Sequence, residues 1–268
     1  MLGAAYNFAA LSPRQEGATA ISEEHLGRTQ VHRISLFGLY GLHPRLNALI
    51  TLPFIHWRQE ADEPDVHHSR KSVLGLRDLQ VGLRWVLSNA QFGPGQRLFI
   101  GANLALPTAP TYEFNPFGGA ADSIDHHHFV LGTGTTTVTF YGEWWYRSEF
   151  PWVTGLVARF RPRLFTSRKG FQPGSRLEVD FHAIGHSYRL WRAFPYLTLN
   201  FRREIEDYWD GSPAPNSGGL FIEASAGLDF ELTESVSAVF RFRGPIWTKV
   251  EGGQQISRGL ELALRTIR

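Results

Sequence analysis

The chain has 268 residues, a net charge of +2, no cysteine and a mean hydropathy of -0.21. So small a charge, with arginines standing singly or alternating inside apolar stretches, excludes a nucleic-acid binder that works through a basic patch. The lack of cysteine excludes a disulfide scaffold and thiolate metal sites, and fits an oxidising envelope compartment. No apolar run approaches the roughly 20 residues of a spanning helix, and no composition break marks a linker, so residues 1–268 read as one domain.

Met1 runs directly into the strand-like LGAAYNFAA with no secretory signal ahead of it. The clearest element follows at 97–106, RLFIGANLAL, where Leu98, Ile100, Ala102, Leu104 and Leu106 share one face and Phe99, Gly101, Asn103 and Ala105 the other. Segment 156–164 sets Leu156, Ala158, Phe160 and Leu164 against Arg159, Arg161 and Arg163. Segment 176–184 sets Leu177, Val179, Phe181 and Ala183 against Arg176, Glu178, Asp180 and His182. Segment 197–206 sets Leu197, Leu199 and Phe201 against Thr198, Asn200, Arg202, Glu204 and Glu206. Three more strands follow around 222–230, 238–242 and 260–264, with Glu223, Asp229, Arg241, Arg243, Glu261 and Arg265 on their polar faces.

About twelve segments of this period are expected, each long enough to cross a bilayer at a tilt. Short turns near 42–45, 88–95, 147–151, 188–193 and 231–235 alternate with long connections near 10–28, 60–71, 107–131, 166–174, 208–218 and 248–256. That rhythm, with all eight tryptophans (Trp57, Trp85, Trp144, Trp145, Trp152, Trp191, Trp209 and Trp247) near strand ends as interfacial girdles, predicts an all-β, transmembrane antiparallel up-and-down β-barrel. Its short turns and both termini belong on the periplasmic side of a bacterial outer membrane, with the lipid bilayer as its first partner. Such a barrel needs export, so Met1 is expected to head a mature form. A soluble all-β carrier is the competing architecture.

The stretches LFGLYGLHPRLNALITLPFIHW, GLRDLQVGLRWVL, LFIGANLALPT and LGTGTTTVTFYGEWWY resemble, in order and spacing, the outer-membrane "transporter" family linked to the meta-pathway of phenol degradation. The counterparts of its motifs are Leu52-Pro53, Gly75 to Leu79, Leu106-Pro107-Thr108 and Leu131 to Gly134. The likeness covers about residues 30–145, and beyond that only the strand rhythm and an Arg-Gly-Pro-Ile corner at 243–246. It implies a channel for small-molecule solutes and supplies no catalytic residue or cofactor. Two departures stand out: Arg77 replaces a glycine, which adds charge near a loop, and Arg268 stands where many such barrels end in an aromatic residue. The latter predicts a trimmed tail or another insertion signal.

If the polar faces point inward, Arg159, Arg161, Arg163, Arg202, Arg241 and Arg243 confront Glu178, Asp180, Glu204, Glu223, Asp229 and Glu261. Separated by sign, such residues line a pore and favour anions or aromatic acids; mixed in ion pairs, they plug or gate it. Loop 107–131 is a candidate constriction through Tyr112, Phe114 and Phe117, or a dock for another envelope protein. His67-His68 and His126-His127-His128, with nearby aspartates and glutamates, are candidate ligands for a divalent metal, against the plainer reading of solvated loops. A membrane-embedded lipid hydrolase is disfavoured: His186 and Ser187 are adjacent and point to opposite faces, and no serine accompanies His182, Asp180 and Glu178 at suitable spacing.

Overall fold

Strands with one apolar and one polar face leave reactive edges unless their sheet closes on itself. Here it closes. The computed structural model describes residues 1–16, 28–60, 71–90, 94–111, 130–149, 152–185, 192–215, 217–250 and 252–266. These form β1 (Leu2–Glu16), β2 (Arg28–His43), β3 (Leu46–Glu60), β4 (Lys71–Leu76), β5 (Leu79–Asn89), β6 (Gly95–Leu106), β7 (Thr137–Arg147) and β8 (Trp152–Arg161). They continue with β9 (Phe171–Gln172), β10 (Arg176–Gly185), β11 (Ala193–Glu204), β12 (Tyr208–Trp209), β13 (Ser212–Pro213), β14 (Gly219–Glu231), β15 (Val236–Val250) and β16 (Gly252–Thr266).

Thirteen strands pair antiparallel, each with its chain neighbour; β1 pairs with β16, and the β2–β3 pairing seals the cylinder. β4 and β5 pair with successive parts of β3, so they are one broken stave, and the thirteen strands make twelve staves. The strand ends that flank 44–45, 90–94, 148–151, 186–192 and 232–235 meet at one end of the cylinder, and those that flank the other connections between staves at the opposite end. Leu2 pairs with Thr266, which places the start of β1 and the end of β16 at the short-turn end.

The outer wall is apolar. Leu36, Ile50, Leu83, Phe181, Leu197 and Phe242 are each at least 50 % exposed. An exposed surface of this kind is unfavourable in water and favourable in hydrocarbon. This is a transmembrane antiparallel β-barrel, and it crosses with strands: among the described residues no helix is long and apolar enough to span a membrane.

Three expectations need correction. β8 stops at Arg161, short of residue 164, because Pro162 has no N–H to continue the ladder; β11 likewise ends at Glu204, and Ile205 donates its N–H to Ser175 O (2.8 Å) as the chain leaves the wall. The connection expected at 248–256 is strand almost throughout. β15 keeps its pairing with β14 up to Val250 and β16 keeps its pairing with β1 down to Gly252, while the rungs between β15 and β16 end at Arg243–Gly259. Ladder neighbours here override a glycine- and glutamine-rich local sequence.

The tryptophans also divide. Trp85, Trp144 and Trp247 are exposed on the outer wall as a girdle requires. Trp57 and Trp145 lie on the inner face, and Trp209 is buried in a small sheet formed by β9, β12 and β13 beyond the long-loop end of the wall. Trp191 lies outside the described residues.

Candidate functional site in the barrel lumen

The antiparallel register carries the polar faces of neighbouring strands to one side of the sheet. Arg159 of β8 stands opposite Glu178 of β10, and Glu178 opposite Arg202 of β11. Farther round, Asn200 of β11 stands opposite Glu223 of β14, and Arg241 of β15 opposite Glu261 of β16. Since the intervening residues Leu177, Phe181, Leu197 and Phe240 are exposed on the apolar exterior, these charges project into the lumen.

They are mixed, not separated by sign. Arg159 forms ion pairs with Asp180 and with Glu178 (3.5 Å), and Arg176 reaches Glu178 (3.0 Å) and Glu204 (3.4 Å). Arg202 spans Glu204 (3.5 Å) and Glu223 (3.9 Å), and Arg241 spans Asp229 (3.1 Å) and Glu261 (3.6 Å). Asn200 donates through Nδ2 to Asp180 Oδ1 (2.6 Å) and Glu178 Oε1 (3.3 Å). Glu178, Asp180 and Glu204 are each shared between neighbours, so β8, β10, β11 and β14 are cross-linked by one polar network, and Arg241 with Asp229 and Glu261 forms a second group on β14, β15 and β16. Arg84 and Glu143, on β5 and β7, make a separate pair at 2.8 Å.

Not every expected residue joins this network. Arg161 donates to Gly174 O (3.1 Å) at the long-loop end. Arg163 lies beyond the strand: its backbone N–H donates to Ser175 Oγ (3.0 Å) and its guanidinium stands over the Tyr208 ring at 4.2 Å, outside the barrel wall. Arg243 is exposed on the inner face with no ion pair among the described residues. Tyr112, Phe114, Phe117, His67, His68, His126, His127 and His128 lie outside the described residues, as do His186 and Ser187. Among the described residues no group of three or more His, Cys, Asp or Glu is placed to hold a metal ion.

Sequence reasoning missed the device at the broken stave. In β4 the odd-numbered residues face inward and in β5 the even-numbered ones, so the irregularity between them turns both Arg77 and Asp78 toward the interior. The buried Asp78 carboxylate accepts hydrogen bonds from Ala109 N (3.1 Å), Thr133 N (3.1 Å) and Thr133 Oγ1 (3.3 Å), while Arg77 Nε donates to Leu131 O (3.1 Å). Both stems of the long β6–β7 connection are therefore held inside the barrel, where Ala109 and Leu131 pack on Val31 and Ile55. The aspartate in GLRDL was a visible signal; the phase change that aims it was not.

Among the described residues, cavities of about 390 Å³ and about 340 Å³ lie in the lumen, and Arg159 and Glu178 line both, so this ion pair stands where they meet. His182 lines the larger one, its ring stacked on Trp145 (5.1 Å between centroids) and its Nδ1 2.6 Å from Tyr196 Oη and 3.1 Å from Thr198 Oγ1. Its ring nitrogen is thus held by two hydroxyls, and the Asp180 carboxylate is held by Arg159 and Asn200.

No family model matches the chain, and no curated protein matches it. Solved structures do. An outer membrane channel from Pseudomonas putida F1 is similar with a TM-score of 0.70 at 14 % identity, covering 99 % of this chain and 95 % of that one. The NanC porin is similar with a TM-score of 0.55 at 8 % identity, covering 100 % of both chains. The β domain of the Bordetella autotransporter BrkA follows at 0.54 and 11 %, covering 100 % of this chain and 99 % of that one. A channel, a porin and an autotransporter share this architecture, so at these identities the likeness fixes the fold and leaves function to the lumen.

Proposed function

We propose that the protein is a bacterial outer-membrane channel that passes small solutes passively through a narrow, charged lumen. One observation carries this reading: a closed barrel whose polar inner face lines two cavities that both border on Arg159 and Glu178. A lumen built solely for stability would be expected to fill with side chains, as small barrels do. Anions, aromatic acids included, are the favoured solutes, because among the described residues the inner-wall charges without an ion pair include Arg33 and Arg243. The ion-paired arginines contribute less to selectivity than their number in the sequence suggests, since each is neutralised locally. Nothing in this reading needs a cofactor or a catalytic residue.

A second reading has its own support. The stems of the β6–β7 connection occupy part of the lumen, and Phe171 and Trp209 pack at 5.0 Å in the small sheet of the neighbouring long connections. A barrel plugged in this way would serve as a structural or partner-binding element of the envelope. Reconstitution into a planar bilayer under a salt gradient separates the two. Steady conductance with an anion-selective reversal potential is expected; a folded protein that stays silent would favour the plug, and a cation-selective potential would reject the arginine argument.

A further inference from the structure

The arginines that face the lumen differ in their partners: Arg77 and Arg161 donate to the backbone carbonyls of Leu131 and Gly174. Arg84, Arg159, Arg176, Arg202 and Arg241 each form an ion pair with a carboxylate. Arg33 of β2 and Arg243 of β15 form none among the described residues, and both are exposed. Arg77, Arg243 and Arg176 all bring positive charge to bear on Arg33. Facing guanidinium groups without a counter-charge repel each other, and an anion between them converts that repulsion into attraction.

The register explains why the two can share a ligand. Asn7 of β1 lies opposite Arg33, and Gly259 of β16 lies opposite both Ala9 of β1 and Arg243. Two strands therefore separate the arginines, and with about 4.8 Å per strand and an offset of about two residues along the sheet their Cα atoms stand roughly 16 Å apart. On the rung of Arg243 the floor is Gly259, Ala9 and Val31, small or apolar residues over which two long side chains can converge, whereas the rung of Arg33 carries Asn7 and then Glu261, the partner of Arg241. Both line the 390 Å³ cavity, where Asn7, Ser35 and Ser225 add an amide and two hydroxyls, and Val31 adds an apolar flank. Asp180, Glu223 and Glu261 line the same cavity, but each is already held by Arg159, Arg202 or Arg241.

We propose that Arg33 and Arg243 form a binding site for a small organic monocarboxylate, the carboxylate held between the two guanidinium groups and the body of the solute resting on Ala9 and Val31. The site deepens the channel reading and rests on it for its purpose, as the place where a permeating anion pauses. Two guanidinium donors offer the planar, charge-assisted hydrogen bonds that a carboxylate accepts best.

Calorimetric titration of the purified full chain with sodium benzoate, and in parallel with benzamide as its uncharged analogue, tests this. Saturable heat is expected from benzoate and none from benzamide, with affinity falling about tenfold in Arg33→Gln and in Arg243→Gln. Arg58→Gln, on the outer face of β3, should titrate like the unaltered protein. Equal heats from the two probes, or no saturable heat from benzoate, would overturn the site without any variant having to fold. Undiminished benzoate binding in both folded lumen variants would overturn it as well. Binding in a protein that never conducts would retain the site and remove the channel; conduction without benzoate binding would do the reverse.

Discussion

The two sides of the lumen solve different problems. From β7 round to β16 the inner wall is a mesh of shared ion pairs, with Glu223 only 3 % exposed and Asp180 7 % exposed. From β2 to β5 the wall is quieter, and loop stems fill it: Val31, Ile55, Ala109 and Leu131 form an apolar cluster, pinned by Asp78. Charge on the first side fixes the shape of the passage, because every carboxylate restrains an arginine that would otherwise swing across it. Packing on the second side fixes the position of a connection. The unpaired arginines that give the lumen its sign lie where the two sides meet.

The largest expected effect comes from breaking the charged side at its centre. Arg159→Ala leaves the buried Asp180 with Asn200 alone for support and removes the side chain between the cavities. A carboxylate stranded in this way is expected to lower stability by about 3 kcal/mol, read from denaturant unfolding in lipid vesicles. Conductance of the protein that folds should rise severalfold. A stable variant with unchanged conductance would move the constriction to the opposite side, onto the loop stems.

That division between the sides was only half legible in the sequence. Alternation in RLFIGANLAL and RLEVDFHAIG gave the strands and their faces directly, because lipid and lumen impose opposite chemistry on successive residues. The polar partners of β8, β10, β11 and β14 could be named from those faces. Their pairing could not, since it depends on register between strands: Arg159 meets Glu178 only because β8 and β10 align as they do. Arg33 stood unremarked because a single charge in an apolar strand such as HRISLFGL carries no pattern. Its significance comes from Gly259 and Ala9, residues that matter by leaving space. Arg163 erred the other way, since the alternation continued past Pro162 although the ladder did not.

The quieter side yields a smaller effect. Asp78→Ala removes the acceptor for the backbone N–H groups of Ala109 and Thr133. Donors left unmet cost about 1–3 kcal/mol when buried, and water entering the lumen should hold the loss near the lower end. Hydrogen exchange at those two amides should quicken by about tenfold, and the open-channel current should become noisier as the stems detach. Slow exchange retained at both amides would mean that the apolar cluster alone holds the connection, and the contrast between a charged and a packed side would sharpen.

The smallest effect is expected of Arg163→Ala, and it distinguishes position on the sequence pattern from position in space. By alternation this residue extends the charged side; in the structure its guanidinium rests on Tyr208, beyond the end of β8. A cation–π contact at so open a site is worth about 0.5–1 kcal/mol, so denaturant unfolding should shift little. The reversal potential should not move at all, because the charge lies outside the lumen and salt of about 0.1 M screens it over roughly 10 Å. Arg243→Ala, one charge removed from the inner face, should move that potential toward cations under the same salt gradient. If the two substitutions shifted it equally, the charge that selects ions would be that of the whole long-loop mouth, and the unpaired arginines inside would lose their special standing.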